Sequence, residues 1–420
     1  MKPFLKAIAV ALPLSLGALA PGSAAYAQEQ TMPSAEPQAV AERKRMLVDI
    51  LTRALPASRL PEIYADLRYA LGELYLPALR DIVNDPEASK RDPETLAKIS
   101  ALVPVIDYFL RAAKELDPIL SASREEIIAD IAGHQAQYSS REEIGFLGEV
   151  LDTPATRKGF NAAYALSRCV TGYDQQDIRN SQEMSAWLKD WKFDAKANPF
   201  AQPDMPPPAP AKVAKAGAVV TDFLRVSRMD DMVSEVVNFL RNVVLQVDAL
   251  KPEEAEMVRT SLQQFEFYYN LGKSMAVAIA PSGIAAAMTD DQLGKFHLMV
   301  LSPVMAKSFN LLYTALREAT SFTKQDITEF RQLAEKGEAA GAKWRDNPEL
   351  QAKMNAEWEE LAARWHERLA SSLTPETRQG LENALATFNA LVEEEAAKRK
   401  KEEAGEEDDG LPSSSGKQQL

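Results

Sequence analysis

Cysteine is nearly absent: Cys169 is the only one in 420 residues. An intramolecular disulfide is therefore excluded, and packing has to carry stability. Cys169 follows an apolar helical face, as a small buried hydrophobe does. No nearby histidine or Cys-x-x-Cys spacing points to a reactive thiol. Histidine is scarce too. His134, His297 and His366 stand in separate helical segments, without the spacing of a zinc-binding helix. Basic residues are in deficit, 48 against 61 acids for a net charge of −13. Such a chain is poorly suited to nucleic acid, whose phosphates require a positive surface. Glycine-rich phosphate loops, dinucleotide fingerprints and nucleophile elbows are also missing. No cofactor, metal ligand or catalytic residue can be named from sequence. Adjacent acids do occur, as Glu142 and Glu143 or Asp290 and Asp291. In first helical turns these suit the positive end of the helix, and spacing alone does not distinguish that role from an acidic hydrolase site.

Long apolar runs are lacking beyond the N-terminus. The nearest, Met275–Ala287, is interrupted by Pro281 and Gly283 and is short for a spanning helix. It reads as a tight Ala-rich packing segment or a buried hairpin. Residues 1–27 have the pattern of an export signal: Lys2 and Lys6, an apolar run from Ala7 to Ala20, then Ala25-Tyr26-Ala27 before a cut at Gln28. The expected location is the periplasm, with no transmembrane segment in the mature chain. Losing two lysines and no acid takes the charge from −13 to −15.

What the sequence does contain is a repetition. Ser140 to Tyr164 returns as Thr289 to Tyr313 without a gap, placing Pro154 over Pro303, Lys158 over Lys307, Phe160 over Phe309, Asn161 over Asn310 and Tyr164 over Tyr313 at a constant offset of 149. Ser140-x-x-Glu143 and Thr289-x-x-Gln292 both predict capping boxes. Thr153-Pro154 and Ser302-Pro303 predict a second helix start, with the hydroxyl as N-cap and proline at the first helical position. Upstream, Ser58-Arg59 is echoed by Ser227-Arg228 at an offset of 169. Phe160 and Tyr164, like Phe309 and Tyr313, are one turn apart and are expected to pack in a core. Lys158 with Asn161, and Lys307 with Asn310, lie on another face. They are either a ligand site or a solvated lysine beside an asparagine that ties down a neighbouring turn.

The expected architecture is all-α: tandem duplicated helical-bundle domains joined by a proline-rich linker, with a C-terminal helical extension. The segments are a signal peptide (1–27), a flexible lead-in (28–40), a first helical domain with its connecting helix (41–191), a linker (192–212), a second domain (213–333), an extension (334–404) and a disordered acidic and polar tail (405–420). In the extension, Trp358, Leu361, Trp365 and Leu369 recur at helical spacing. This apolar stripe predicts either intrachain packing or a partner-binding face.

At its hydroxyl–proline corners the chain resembles an exported bacterial family, domain of unknown function 2059. That family's pattern is Leu-Thr-x-x-Glu-Leu, then Phe-Tyr-x-Ser/Thr-Pro-x-Gly. Ser140, Glu143, Ile144 and Thr153-Pro154 fit it in the first copy, and Thr289, Gln292, Leu293 and Ser302-Pro303 in the second. Val150-Leu151 and Met299-Val300 depart from it at Phe-Tyr, as do Thr156 and Met305 at Gly. The resemblance implies a secreted all-helical domain and supplies no catalytic residue. The leading expectation is a periplasmic structural or protein-interaction module whose partner is another periplasmic or cell-envelope protein. A carrier of an apolar small molecule or lipid is the main alternative, and a cell-envelope hydrolase the next.

Overall fold

The computed structural model describes residues 37–86, 93–188, 207–247, 251–340 and 347–406. The export signal, the lead-in up to residue 36, linker residues 192–206 and the tail from 407 lie outside them. The described residues are all-α, with no strand among them. The helices are α1 Pro37–Ala57, α2 Leu60–Tyr69, α3 Leu76–Asn84, α4 Pro93–Ala122, α5 Arg124–Tyr138, α6 Arg141–Asp152, α7 Pro154–Thr171 and α8 Gln175–Leu188. They continue with α9 Pro210–Ser227, α10 Met229–Asn242, α11 Pro252–Ala278, α12 Ala280–Ala287, α13 Asp290–Val300, α14 Pro303–Ala319, α15 Lys324–Ala340, α16 Pro348–Ser371 and α17 Pro375–Glu406. A π-helical turn, Ala70–Tyr75, joins α2 to α3, and a 3₁₀ turn, Val244–Gln246, follows α10.

Several expected boundaries move: α15 crosses the one expected at 333/334, and α17 runs to Glu406, two residues into the tail expected to be disordered. Helix α1 starts at Pro37, inside the segment expected to be a flexible lead-in, and α9 starts at Pro210, inside the expected linker. Both prolines open a helix, where the missing N–H has no intrahelical partner to lose.

The capped starts form as the sequence requires. Ser140 Oγ accepts from Glu143 N at 3.1 Å, and the Glu143 carboxylate accepts from Ser140 N at 2.6 Å. Thr289 and Gln292 repeat the exchange at 3.2 and 2.8 Å. Thr153 and Ser302 cap α7 and α14 through Thr156 N and Met305 N, each with proline following.

The described residues divide into two compact units. The larger comprises 37–70 and 124–361, and the smaller 71–123 and 362–406. Within the larger unit, α1 packs on α5 and α6, while α9 packs on α12 and α13. Their cores match position by position. Ala132 belongs to the first core and stands over Pro281, which is also buried; the other members are Leu47, Ile50, Ala136, Ile144 and Leu151 in the first and Ala216, Val219, Ala285, Leu293 and Val300 in the second. The first two of these other pairs are separated by 169 residues and the last three by 149, the offsets of the sequence repetition. The segment Met275–Ala287 is a helix–helix corner: α11 ends at Ala278, and Pro281, Gly283 and Ala285 of α12 are buried.

In the smaller unit α3 and α17 both pack on α4. Ala112, Leu373 and Leu381 form its buried centre, flanked by Tyr108, Leu116 and Leu385. Gly380 has a steric reason there: a Cβ on it would stand 2.1 Å from Tyr108 Cε1.

Candidate functional site

The two helix corners upstream of the repeated segment have the same unusual backbone. Arg59 joins α1 to α2 with φ 57°, and Arg228 joins α9 to α10 with φ 54°; they are the positive-φ non-glycine residues among the described residues. A side chain in this left-handed region costs about 1–2 kcal/mol. Each arginine turns this corner into a contact. The Arg59 guanidinium lies 3.8 Å from the centre of the Tyr164 ring, and Arg228 lies 3.7 Å from that of Tyr313. Each also donates to an asparagine one turn before that tyrosine: Arg59 to Asn161 at 3.4 Å, Arg228 to Asn310 at 3.2 Å. The tyrosine hydroxyls donate to Asp66 and Glu235, both at 3.1 Å.

Asn161 and Asn310 thus each accept from the arginine of a neighbouring helix corner. The tyrosines differ from expectation. They are half-buried, with rings under arginine and hydroxyls on carboxylates. Phe160 and Phe309 are also half-buried; Phe160 packs on the first core, and Phe309 meets Phe223 edge-on with centroids 5.9 Å apart.

The lysines cross over. Helices α7 and α14 pack together inside the larger unit. From α7, Lys158 reaches Asp326 at 2.5 Å and the Ser321 carbonyl at 3.1 Å. From α14, Lys307 reaches Asp177 and, at 3.1 Å, Asp174. Asp177 and Asp326 are the third residues of α8 and α15, one helix downstream of the opposite repeated segment. Each also serves its own helix start. Asp326 accepts from Thr323 N and Oγ1, while Asp177 accepts from Asp174 N. The arrangement is a reciprocal pair of latches.

Electrostatics follow from these contacts. Asp326 is buried, which by itself raises a carboxyl pKa, but the hydrogen bonds from Lys158 and Thr323 outweigh burial and hold it below the usual range. Lys307 is raised, chiefly by its hydrogen bond to Asp177. Asp174 is lowered, first by backbone hydrogen bonding to Asp177 and then by Lys307.

Asp177 and Asp326 were missed from sequence although the same offset contains them. Thr171-Gly-Tyr173-Asp-Gln-Gln-Asp177-Ile178 stands over Thr320-Ser-Phe322-Thr-Lys-Gln-Asp326-Ile327. Extending the comparison past Tyr164 would have found them.

The tryptophan stripe is divided between the two units, Trp358 and Leu361 in the larger, Trp365 and Leu369 in the smaller. Leu361 and Leu369 are buried, and Trp358 and Trp365 half-buried. In the larger unit the Trp358 ring centroid lies 5.4 Å from that of His134, whose Nε2 donates to the Met354 carbonyl at 3.1 Å. Burial lowers the His134 pKa. Tyr138 donates to Glu357 at 2.6 Å, and burial followed by this bond raises its pKa. In the smaller unit Arg368 lies over the Trp365 ring at 4.8 Å. Cys169 is half-buried and its thiol pKa is raised by burial.

These polar groups hold helices in place. Among the described residues no cluster of His, Cys, Asp and Glu could hold a metal ion, and no helix is long and apolar enough to cross a membrane. One surface recess is lined by Lys324, Gln325, Thr328, Glu329 and Gln332, and another by Thr314, Arg317, Glu318 and Ser321. The side chains that line both are those of polar or charged residues. Comparison of the chain with protein-family models, curated proteins and solved structures finds no match.

Proposed function

We propose that this chain is a periplasmic structural or protein-interaction module built from two copies of one helical bundle. The observation that carries this reading is the reciprocal latch: Lys158 and Lys307 each reach across to an aspartate at the start of the other copy's last helix. Residues set aside as a possible ligand site are engaged by partners within the chain. Equal offsets in the two cores, and paired Arg–Tyr–Asn corners, support the duplication. Resemblance to the exported family of unknown function and the N-terminal signal pattern support the location.

Purification from the periplasm of a Gram-negative host tests this function. The expected product begins at Gln28, carries no lipid detectable by mass spectrometry, and is cross-linked in cells into a discrete complex with a cell-envelope protein or a second copy. A product retaining Met1 would overturn the location. Stoichiometric lipid would overturn the interaction role in favour of a carrier.

A further inference from the structure

We propose that the outer face of α11 is where two copies of this chain associate, as an antiparallel helix pair whose two-fold axis passes beside Tyr268. This rests on the two-copy reading above and goes beyond it by naming a surface and its occupant. In the proposed first copy α4 leads into α5; in the second, α11 leads into α12. At the offset of 149 that relates the two cores here, Ala112 and Leu116 of α4 stand over Ser261 and Phe265 of α11, both exposed. In the smaller unit that face of α4 is covered by α17. Among the described residues the matching face of α11 is bare. Met257, Phe267, Tyr268, Leu271, Met275 and the following Ile279 are between 45% and 67% exposed.

The inner face of α11 is already occupied. Ala255 and Leu262 are buried, and Tyr269 and Lys273 both donate to Asp230 on α10. The outer seam, Met257, Ser261, Gln264, Tyr268, Leu271 and Met275, recurs at alternating steps of four and three, the spacing that lets two helices interlock. From Met257 to Ile279 the seam is about 33 Å long. Its exposed side chains offer an apolar area of the order of the ~800 Å² that each partner buries in a standard interface.

Charge selects the occupant and its direction. Glu253, Glu254 and Glu256 stand at the N-terminal end, where Arg259 pairs with Glu256, and the six seam positions themselves carry no charge. Glu266 is held by Arg241 and Lys273 by Asp230. A parallel pair would stack the two acidic ends. An antiparallel pair sets each beside the other copy's uncharged Met275–Ile279 end. Tyr268 is midway between Met257 and Ile279, so an antiparallel pair brings the two Tyr268 rings to the axis. A large aromatic at the centre is where interface energy concentrates. Gly272 has open space where a Cβ would be, leaving room for close approach.

The test is the mass of the purified full chain by analytical ultracentrifugation, followed by cross-linking. The chain is expected at twice the mass of its own monomer, and Tyr268→Glu or Leu271→Glu should weaken association at least ~30-fold with unchanged helical signal. In a Cys169→Ser background, Tyr268→Cys should form a disulfide-linked dimer on oxidation and Met257→Cys should not; this reading survives if a glutamate variant fails to fold. A chain that stays monomeric up to its solubility limit overturns the proposal, including one that instead binds lipid vesicles. So does a dimer that tolerates both glutamates, or one that cross-links through Met257 and not Tyr268. A monomer would leave the two-copy reading standing. Unequal responses to Lys158→Met and Lys307→Met would weaken that reading without changing the mass.

Discussion

The segment around α6 and α7 and the segment around α13 and α14 share their polar ties and differ in what surrounds them. Both have a left-handed arginine over a tyrosine, an asparagine under that arginine, and a lysine reaching across to the other segment. Their apolar cores keep the same positions with different volumes: Leu47 faces the role of Ala216, and Ile50 that of Val219. Three of the five paired positions are smaller in the second core and none is appreciably larger, so the apolar pattern is kept while the volume is not. A buried carboxylate at a helix start accepts few replacements, because a misplaced partner leaves a charge without solvent or counterion. The ties therefore mark the shared plan better than the cores do.

The largest effect is expected from cutting a latch. Lys158→Met leaves Asp326 buried beside an apolar chain, and Lys307→Met does the same to Asp177. Removing one partner of a fully buried pair costs 3–5 kcal/mol; with the lysines 29% and 34% exposed, about 2–3 kcal/mol each is expected. Denaturant unfolding of the two variants should agree within about 0.5 kcal/mol if the latches are equivalent. A loss confined to one variant would break the comparison.

Next comes Gly380→Ala, which probes the helix that covers α4. Its methyl would enter the Tyr108 ring, so the ring or α17 must move. Overpacking of this kind costs about 1–3 kcal/mol. The change should loosen the smaller unit, read as hydrogen-exchange protection lost in α4 and α17 and retained in α7 and α14. Unchanged protection in α17 would mean that Tyr108 yields freely and the cover is looser than the packing indicates.

The latches also set the pH window. The folded Asp326 pKa lies below its ordinary value, so its contribution is present above the usual Asp range and is lost as pH falls through the folded value. The folded Lys307 pKa lies above its ordinary value, so its contribution is present below the usual Lys range and is lost as pH rises through the folded value. Unfolding midpoints should hold a plateau between these ranges and decline outside it. Asp326→Asn should flatten the acid limb and Lys307→Met the alkaline limb. If either variant changed both limbs equally, the two latches would not be separable.

All-α character and helix starts were legible because they are local. Ser140 with Glu143, and Thr153 with Pro154, determine their backbone geometry within one turn, and the chain shows that signal directly. The site was half legible. Repetition singled out Lys158, Asn161, Lys307 and Asn310, but their partners Asp326, Arg59, Asp177 and Arg228 are distant in sequence and are brought near by packing. The cover of α4 by α17 was not legible. Leu373, Leu381 and Leu385 show an amphipathic helix without stating which helix it meets, since apolar contact is non-directional.

The smallest effect, and the sharpest test of the corner, concerns Arg59 and Arg228. Their left-handed backbone costs about 1–2 kcal/mol, partly offset by a cation–π contact of about 0.5–2 kcal/mol. Arg59→Ala keeps the unfavourable φ and loses the contact. Arg59→Gly also loses the contact but accepts that φ freely, at some cost in the entropy of the unfolded chain. Glycine should therefore be more stable than alanine by about 1 kcal/mol, and the same difference should appear for Arg228. Alanine and glycine giving equal stability at either site would show that the corner relaxes out of the left-handed region once the guanidinium is gone. The tyrosine contact would then be the cause of the backbone geometry, rather than a contact fitted to a corner that the flanking helices already impose.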